Sequence, residues 1–392
     1  MTQPLPARAG DPIERIDTPA LVLDLDVFEA NLRRMAETAS RLGVALRPHA
    51  KSHKCAEIAR RQIAAGAVGV CVQKVSEAEA LAAEGIRDIL ICNELVTARK
   101  VEALVRSNRH ARVSSCVDDP AMVDLHARLA AEAGIVLPLL IEVDVGHGRC
   151  GIAPGPALAE LARRIVAAPS LTFAGVHAYH GRAQHIRGVA ERRATTRSAV
   201  ERAAQARDLL AAAGIACPVI TGAGTGSFEV EGASGVYTEI QPGSYVFMDA
   251  DYQRNEWAEP PFRQSLFVLT GVMSRTVPEG ESTRRQAIVD AGLKALAFDS
   301  GVPEIARRES RAGGFASLPG SDQPDGLTYT NPSDEHGTLA VADGVAVPRL
   351  GDRLWLTPGH CDPTVNLYDW IVAIRGERVE DVWPITARGC LG

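Results

Sequence analysis

The stretch Leu137-Pro138-Leu139-Leu140-Ile141-Glu142-Val143-Asp144-Val145-Gly146-His147-Gly148-Arg149 holds the plan of the chain in miniature. An apolar, β-rich run closes on a Gly-rich segment that carries a histidine and an arginine. Leu158, Leu161 and Ile165 follow at helical spacing, and residues 172–178 return to a β-rich run that ends in Tyr179-His180-Gly181. The same unit recurs on both sides. Runs at 44–46, 68–72, 88–92, 112–117, 137–143, 172–178, 218–221 and 237–240 alternate with Ala/Leu/Arg segments of helical period. Gly43, Gly66, Gly85, Gly134 and Gly214 stand where a helix stops and the next strand begins. Eight sequential strand-plus-crossover units predict a (β/α)8 barrel, and their number disfavours the rival open, doubly wound sheet.

After Phe262 the pattern changes. Runs at 265–273, 285–289, 337–341, 352–356, 368–374 and 379–383 are β-rich with few helical periods, and residues 313–326 read as a Gly/Pro/Ser-rich loop. The chain is therefore expected to comprise a barrel at 26–262 and a β domain at 263–392, the latter joined by an N-terminal strand within 17–25.

Composition narrows the function. With 392 residues and 46% hydrophobic content, the chain has enough material for a large core and a smaller second one. A formal charge of −6 with dispersed basic residues argues against nucleic acid as the main partner. No apolar run approaches the roughly 18 residues needed to span a bilayer. The start, Met1-Thr2-Gln3-Pro4-Leu5-Pro6, lacks the pattern of a signal peptide. Eight scattered cysteines with no C-x-x-C pair read as reduced core residues of a cytoplasmic protein.

The chemistry gathers where barrel strands end. The chain has five lysines against 37 arginines, so a lysine is the exception that calls for a reason. Lys51 follows the first run and offers what arginine cannot: an amine that deprotonates and condenses with an aldehyde, for which pyridoxal phosphate is the natural partner. Gln73 follows the second run. Arg149, between Gly148 and Cys150 after the fifth run, is placed to meet a pyridine nitrogen as a permanently charged donor. Tyr179, His180 and His185 follow the sixth. Gly222-Ala223-Gly224-Thr225-Gly226-Ser227 follows the seventh and Pro242-Gly243-Ser244-Tyr245 the eighth. Together these two loops match a phosphate cup, with glycines admitting an anion and Thr225 and Ser244 adding hydroxyls. In the β domain, His360 and Asp362 are two apart in Pro358-Gly359-His360-Cys361-Asp362-Pro363-Thr364. In an extended segment both would point one way, as two ligands for Mn²⁺, Mg²⁺ or Zn²⁺.

Arg47-Pro48-His49-Ala50-Lys51, Gln73-Lys74-Val75-Ser76-Glu77-Ala78, Gly148-Arg149-Cys150-Gly151, Ala178-Tyr179-His180-Gly181, Gly224-Thr225-Gly226-Ser227, Asp334-Glu335-His336-Gly337 and His360-Cys361-Asp362-Pro363-Thr364 resemble the bacterial D-threonine aldolases. The resemblance runs from about Asp17 to Gly389. It implies the alanine-racemase fold (pyridoxal-phosphate fold type III) and a divalent cation. It implies that Lys51 carries the cofactor, that Arg149 faces its ring nitrogen, and that Gln73, Tyr179, Thr225, Gly243 and Ser244 line it. His360 and Asp362 would bind the metal. Related D-serine and D-3-hydroxyaspartate dehydratases typically place Cys where Asp362 stands; a carboxylate suits harder cations, which favours the aldolase. Ala223 departs from the family, whose members often have a third glycine there.

The expected reaction is retro-aldol cleavage of a D-3-hydroxy amino acid, D-threonine giving glycine and acetaldehyde, with Mn²⁺ as the preferred metal. His185 or a metal-bound water is the expected base. The alternative is a dehydratase releasing ammonia and a 2-keto acid. A homodimer is expected by analogy with the fold.

Overall fold

The computed structural model describes residues 4–278, 284–309, 315–316 and 326–392. The chain forms two compact units. One gathers the described residues of Met1–Asn31, Val246–Arg254 and Phe262–Arg388; the other comprises Leu32–Tyr245, Asn255–Pro261 and Gly389–Gly392.

After β1 (Ala20–Asp24), which belongs to the first unit, come eight parallel strands of the second. They are β2 (Ala45–Leu46), β3 (Val70–Val72), β4 (Asp88–Glu94), β5 (Arg112–Val117), β6 (Leu137–Glu142), β7 (Leu171–Ala178), β8 (Ile220–Gly222) and β9 (Glu239–Ile240). Their order is β2-β9-β8-β7-β6-β5-β4-β3. A parallel bridge from His49 to Cys71, with Cys71 N donating to Pro48 O at 2.9 Å, links the two ends and closes the barrel. The glycines expected to stop helices do so in left-handed backbone: Gly43, Gly66, Gly85, Gly134 and Gly214 take φ of 69°, 108°, 90°, 67° and 73°. Open space surrounds each of their Cα atoms, so conformation, not crowding, asks for glycine there.

Strand alternation divides the barrel residues into two sets. Val70, Val72, Ile89, Ile91, Leu139 and Ile141 pack outward with the helices. Cys71, Leu90, Cys92, Cys116 and Leu140 form a separate interior cluster. All eight cysteines are free thiols. The small interior side chains leave room for a polar chain. The Gln241 carboxamide takes a hydrogen bond on Oε1 from His177 Nε2 (3.1 Å) and donates to Thr221 Oγ1 (2.8 Å); Thr221 donates to Glu239 Oε1 (2.7 Å). Glu239 Oε2 in turn pairs with Arg47 Nε at 3.0 Å.

The other unit contains β1 with β10 (Leu266–Thr276), β11 (Gln286–Val289), β12 (Glu304–Glu309), β13 (Phe315–Ala316), β14 (Leu327–Pro332), β15 (Gly337–Val341), β16 (Arg353–Thr357), β17 (Trp370–Arg375) and β18 (Arg378–Pro384). Its main path runs β13-β12-β16-β10-β1-β17-β18. β1 lies antiparallel to β10 and parallel to β17, in register Val22↔Phe267 and Val22↔Val372. β12 and β14 lay outside the expected runs: Glu304-Ile305-Ala306-Arg307-Arg308-Glu309 is too charged to read as a strand. Of residues 313–326, expected as a loop, β13 and Gly326 are described; the rest lies outside the described residues.

Candidate active site

Lys51 sits in a 3-10 turn (Ala50–Ser52) just past β2. His49 precedes that turn and its Nδ1 accepts from Lys51 N at 3.4 Å, while its Nε2 lies 3.0 Å from the Gln73 carboxamide past β3. Burial, reinforced by the charge of Lys51, holds His49 well below its ordinary pKa, so a neutral imidazole stands beside the amine. Lys54 has a different role. Its Nζ pairs with Glu77 Oε1 at 2.5 Å in a nearly dry site. Glu77 Oε2 accepts from Gln73 N (2.9 Å) and Lys74 N (3.0 Å), so this pair fastens the Lys51 turn to the segment bearing Gln73.

Past β6, the Arg149 guanidinium stacks over the Tyr179 ring at 5.8 Å, and its Nη2 lies 3.7 Å from Glu142 Oε1. His177 Nδ1 lies 3.3 Å from Glu142 Oε2, at ion-pair distance but without hydrogen-bond alignment. Burial alone would lower the His177 pKa; the Glu142 carboxylate overrides it and favours the imidazolium. Burial raises Glu142, and His177 and Arg149 more than compensate. Nearby Glu94 goes the other way, pushed up to about 7 by burial and by the charge of Glu142.

The glycine loop past β8 is packed in a way its composition does not announce. Gly226 N donates to Gln184 Oε1 at 2.8 Å, Gln184 Nε2 donates to Ser227 Oγ at 2.8 Å, and Gly224 N donates to the same Oγ at 3.3 Å. A Cβ at Gly224 would lie 2.5 Å from Gln184 Oε1, and one at Gly226 3.0 Å from Gln184 O. These glycines therefore serve here by their lack of a side chain, their N–H groups being already engaged. Among the described residues the buried Thr225 Oγ1 has no hydrogen-bond partner. A buried hydroxyl without a partner is costly, and an anion in the cup would satisfy it. Ala223 takes φ 67°, a left-handed conformation that costs an L-residue about 1–2 kcal/mol. Gly243, past β9, approaches His49 O so closely that a Cβ would fall 2.9 Å from it. Ser244 opens the short turn Ser244–Val246. His185 ends the 3-10 turn Gly181–His185 past β7 and is exposed. Because the strands are parallel, all of these residues share one rim of the barrel. A surface cavity of about 580 Å³, lined by Arg87, His110, Arg112, Pro138 and Thr172, lies at the opposite, N-terminal ends of the strands and away from this chemistry.

In the other unit, the expected strand alternation at His360 and Asp362 does not hold. β16 ends at Thr357, His360 is the extended residue before a short helix (Cys361–Val365), and Asp362 lies in that helix's first turn. The ring and the carboxylate are held by a corner in which three further groups take part. Asp249, fully buried, accepts from Cys361 N on Oδ2 (2.9 Å) and from Tyr252 N on Oδ1 (2.9 Å). His360 Nδ1 donates to Asp299 Oδ2 at 2.6 Å. Thr364 Oγ1 donates to His360 O at 2.7 Å. Burial works against a charged His360, but Asp362, Asp299 and Asp249 outweigh it and raise its pKa. The imidazole and the Asp362 carboxylate offer a mixed nitrogen and oxygen donor pair, and the negative charge of Asp249 and Asp299 around them favours a hard divalent cation.

Ligand-type side chains also meet inside the barrel, as His49/Cys71/Cys92 and Cys116/Glu142/His177. Burial pushes the Cys92 and Cys116 thiols well above their ordinary value, which keeps them neutral. The two imidazoles are already engaged, and these groups read as filling.

Residues 23–251 match the family described as Alanine racemase, N-terminal domain, and residues 265–374 match Putative serine dehydratase domain. The chain is 48% identical to a D-threonine aldolase of Arthrobacter sp over 387 residues, covering 98% of this chain and 96% of that protein. The chain belongs to the D-threonine aldolase family. It is 42% identical to a 3-hydroxy-D-aspartate aldolase of Paracoccus denitrificans (strain Pd 1222), with 98% and 95% covered. The crystal structure of D-threonine aldolase from Filomicrobium marinum superposes with a TM-score of 0.91 at 44% identity, covering 100% of both chains. The chain is thus an enzyme of the aldehyde-lyase class with an alanine-racemase-like barrel. His49, Gln184, Asp249 and Asp299 escaped the sequence reading. His49 stood inside a quoted motif; the other three gave no local signal.

Proposed function

We propose that this aldolase cleaves D-3-hydroxy amino acids, D-threonine to glycine and acetaldehyde, using pyridoxal phosphate held by the barrel unit and a divalent cation, preferentially Mn²⁺, held by the β-rich unit. The observation that carries the reading is the 48% identity to a D-threonine aldolase over 98% of the chain, which spans both units at once. The unpartnered Thr225 hydroxyl and the carboxylate-rich His360 corner support the two binding roles.

Bound pyridoxal phosphate supplies an electron sink for the Cα–Cβ bond, and a bound cation acidifies the β-hydroxyl. Lys51 would hold the cofactor through its amine, with neutral His49 beside it. Arg149, braced by Tyr179, would face the ring nitrogen. Gln73 and Tyr179 would line the ring; Thr225 and Ser244 would meet the phosphate, with Gly224, Gly226 and Gly243 giving it room. His360 and Asp362 would hold the cation. His185 would take the proton of the β-hydroxyl. One proton leaves that oxygen and one is added at Cα, so glycine and an aldehyde account for every atom. The same reading takes a small-molecule substrate, a homodimer and a cytoplasmic location. Among the described residues no helix is long and apolar enough to cross a membrane.

Product analysis from D-threonine with Mn²⁺, with and without a chelator, is the test. Glycine plus acetaldehyde, lost on chelation, is expected. Ammonia plus a 2-keto acid would sink the aldolase reading.

A further inference from the structure

Asp299 lies in a segment without regular structure between β11 and β12, and the sequence gives it no motif. Yet the segment is fastened to the His360 corner on both sides of Asp299. Before it, Ala297 N donates to Thr364 Oγ1 at 3.1 Å, and Tyr368 Oη donates to Ala295 O at 2.8 Å. After it, Gly301 O comes so close to Gly359 that a Cβ there would lie 2.4 Å away. Thr364 Oγ1 itself donates to His360 O, so one hydroxyl ties the two segments together. Between these ties, the Asp299 carboxylate meets His360 Nδ1 at 2.6 Å, a short, charge-assisted distance.

A carboxylate only accepts, so in the neutral ring that a cation requires, Nδ1 carries the proton and Nε2 keeps its lone pair. The two ring nitrogens face apart; a carboxylate bound to one cannot share a cation with the other. We propose that Asp299 is the positioning residue of the cation site, fixing the tautomer and ring orientation of His360 so that Nε2, with Asp362, takes the metal. This rests on the reading of His360 and Asp362 as cation ligands. Carboxylate–histidine–metal relays of this kind typically affect affinity by roughly 10- to 100-fold. The Asp299 side chain is 54% exposed, so its replacement leaves no buried gap.

The test is Mn²⁺ binding to the cofactor-loaded protein, read from the electron-spin-resonance signal of free Mn²⁺, beside thermal midpoint and cofactor absorbance. Asp299→Ala is expected to weaken Mn²⁺ by roughly 10- to 100-fold, and Asp299→Asn, which keeps an acceptor, by less. Midpoint and absorbance should stay at wild-type values, and at saturating Mn²⁺ the nitrogen coupling of His360 should persist in both. Unchanged affinity in both variants overturns the proposal. So does loss of binding as complete as in His360→Ala, which would make Asp299 a ligand, or a matching fall in thermal midpoint, which would make it structural. If His360→Ala also leaves Mn²⁺ binding unchanged, the cation-site reading itself fails, a separate outcome.

Discussion

Lys51, Gln73, Arg149, Tyr179, Thr225 and Ser244 each follow a different barrel strand, so the repeat that builds the barrel also delivers them to one rim. His360 is held by contrast from far along the chain: its partner Asp299 is 61 residues away, and Asp249 reaches its neighbour Cys361 across 112. A periodic scaffold places side chains by counting, whereas a corner made of loops places them by long-range hydrogen bonds that no local pattern announces. The sharpest way to break this comparison is to remove one residue from each region. Lys51→Ala is expected to abolish both turnover and the visible absorbance of bound cofactor. His360→Ala should abolish Mn²⁺-dependent turnover while leaving that absorbance in place. Loss of absorbance in both would show that the two regions do not divide the work.

Next in size is a contrast within the rim. Lys51 and Lys54 are three residues apart; Lys54 is locked in the buried pair with Glu77, while Lys51 is the residue proposed to hold the cofactor. Lys54→Met breaks a buried ion pair and leaves Glu77 with backbone donors only, which should cost about 3–5 kcal/mol of stability. Urea denaturation measures this, and the cofactor absorbance of the folded fraction should persist. A variant as stable as wild type would show that Glu77 is already satisfied by Gln73 N and Lys74 N.

How legible these regions were follows from the same distinction. The barrel could be read because its signals repeat: eight β-rich runs, and five glycines that each proved left-handed. Boundaries slipped by two residues at the short strands β3, β8 and β9, where two or three residues offer no period to measure. β12 was missed because its charged residues mask a pattern that pairing with β16 imposes. At the site, residue types and spacing exposed Lys51, Arg149 and the glycine loops. They did not expose Gln184, whose carboxamide crowds Gly224 and whose backbone crowds Gly226. The His360/Asp362 pairing was noticed for a strand geometry that does not exist there; a helix start brings the two together instead.

Thr225 offers a smaller test of the rim. Its hydroxyl is buried without a hydrogen-bond partner among the described residues, and a phosphate in the cup would supply one. Thr225→Val keeps the shape and removes the hydroxyl. Pyridoxal phosphate should bind roughly tenfold or more weakly, the worth of a hydrogen bond to a charged group. The thermal midpoint of the cofactor-free protein should hold or rise. A lower midpoint there would mean the hydroxyl has a structural task.

The smallest expected effect lies just behind the cup. Glu231, in the short helix Phe228–Gly232, is fully buried beside Ser227, and among the described residues neither carboxylate oxygen has a hydrogen bond of good geometry. Burial pushes its pKa up to about 8, well above the carboxylate range. The folded protein therefore holds this proton more tightly than the unfolded chain does. Stability is fully present below the unfolded value near 4.5 and is lost progressively as pH rises through 8. Glu231→Gln cannot ionise, so it should remove this contribution to the slope. The measurement is thermal midpoint against pH from 5 to 8.5, wild type beside variant. The two curves should meet at the acid end and separate at the alkaline end, with the variant higher. Parallel curves would mean that Glu231 finds solvent or a partner once ionised. In that event the rim carries no penalty of its own behind the phosphate cup, and Glu94, pushed up to about 7, would remain an acidic group with leverage in this pH range.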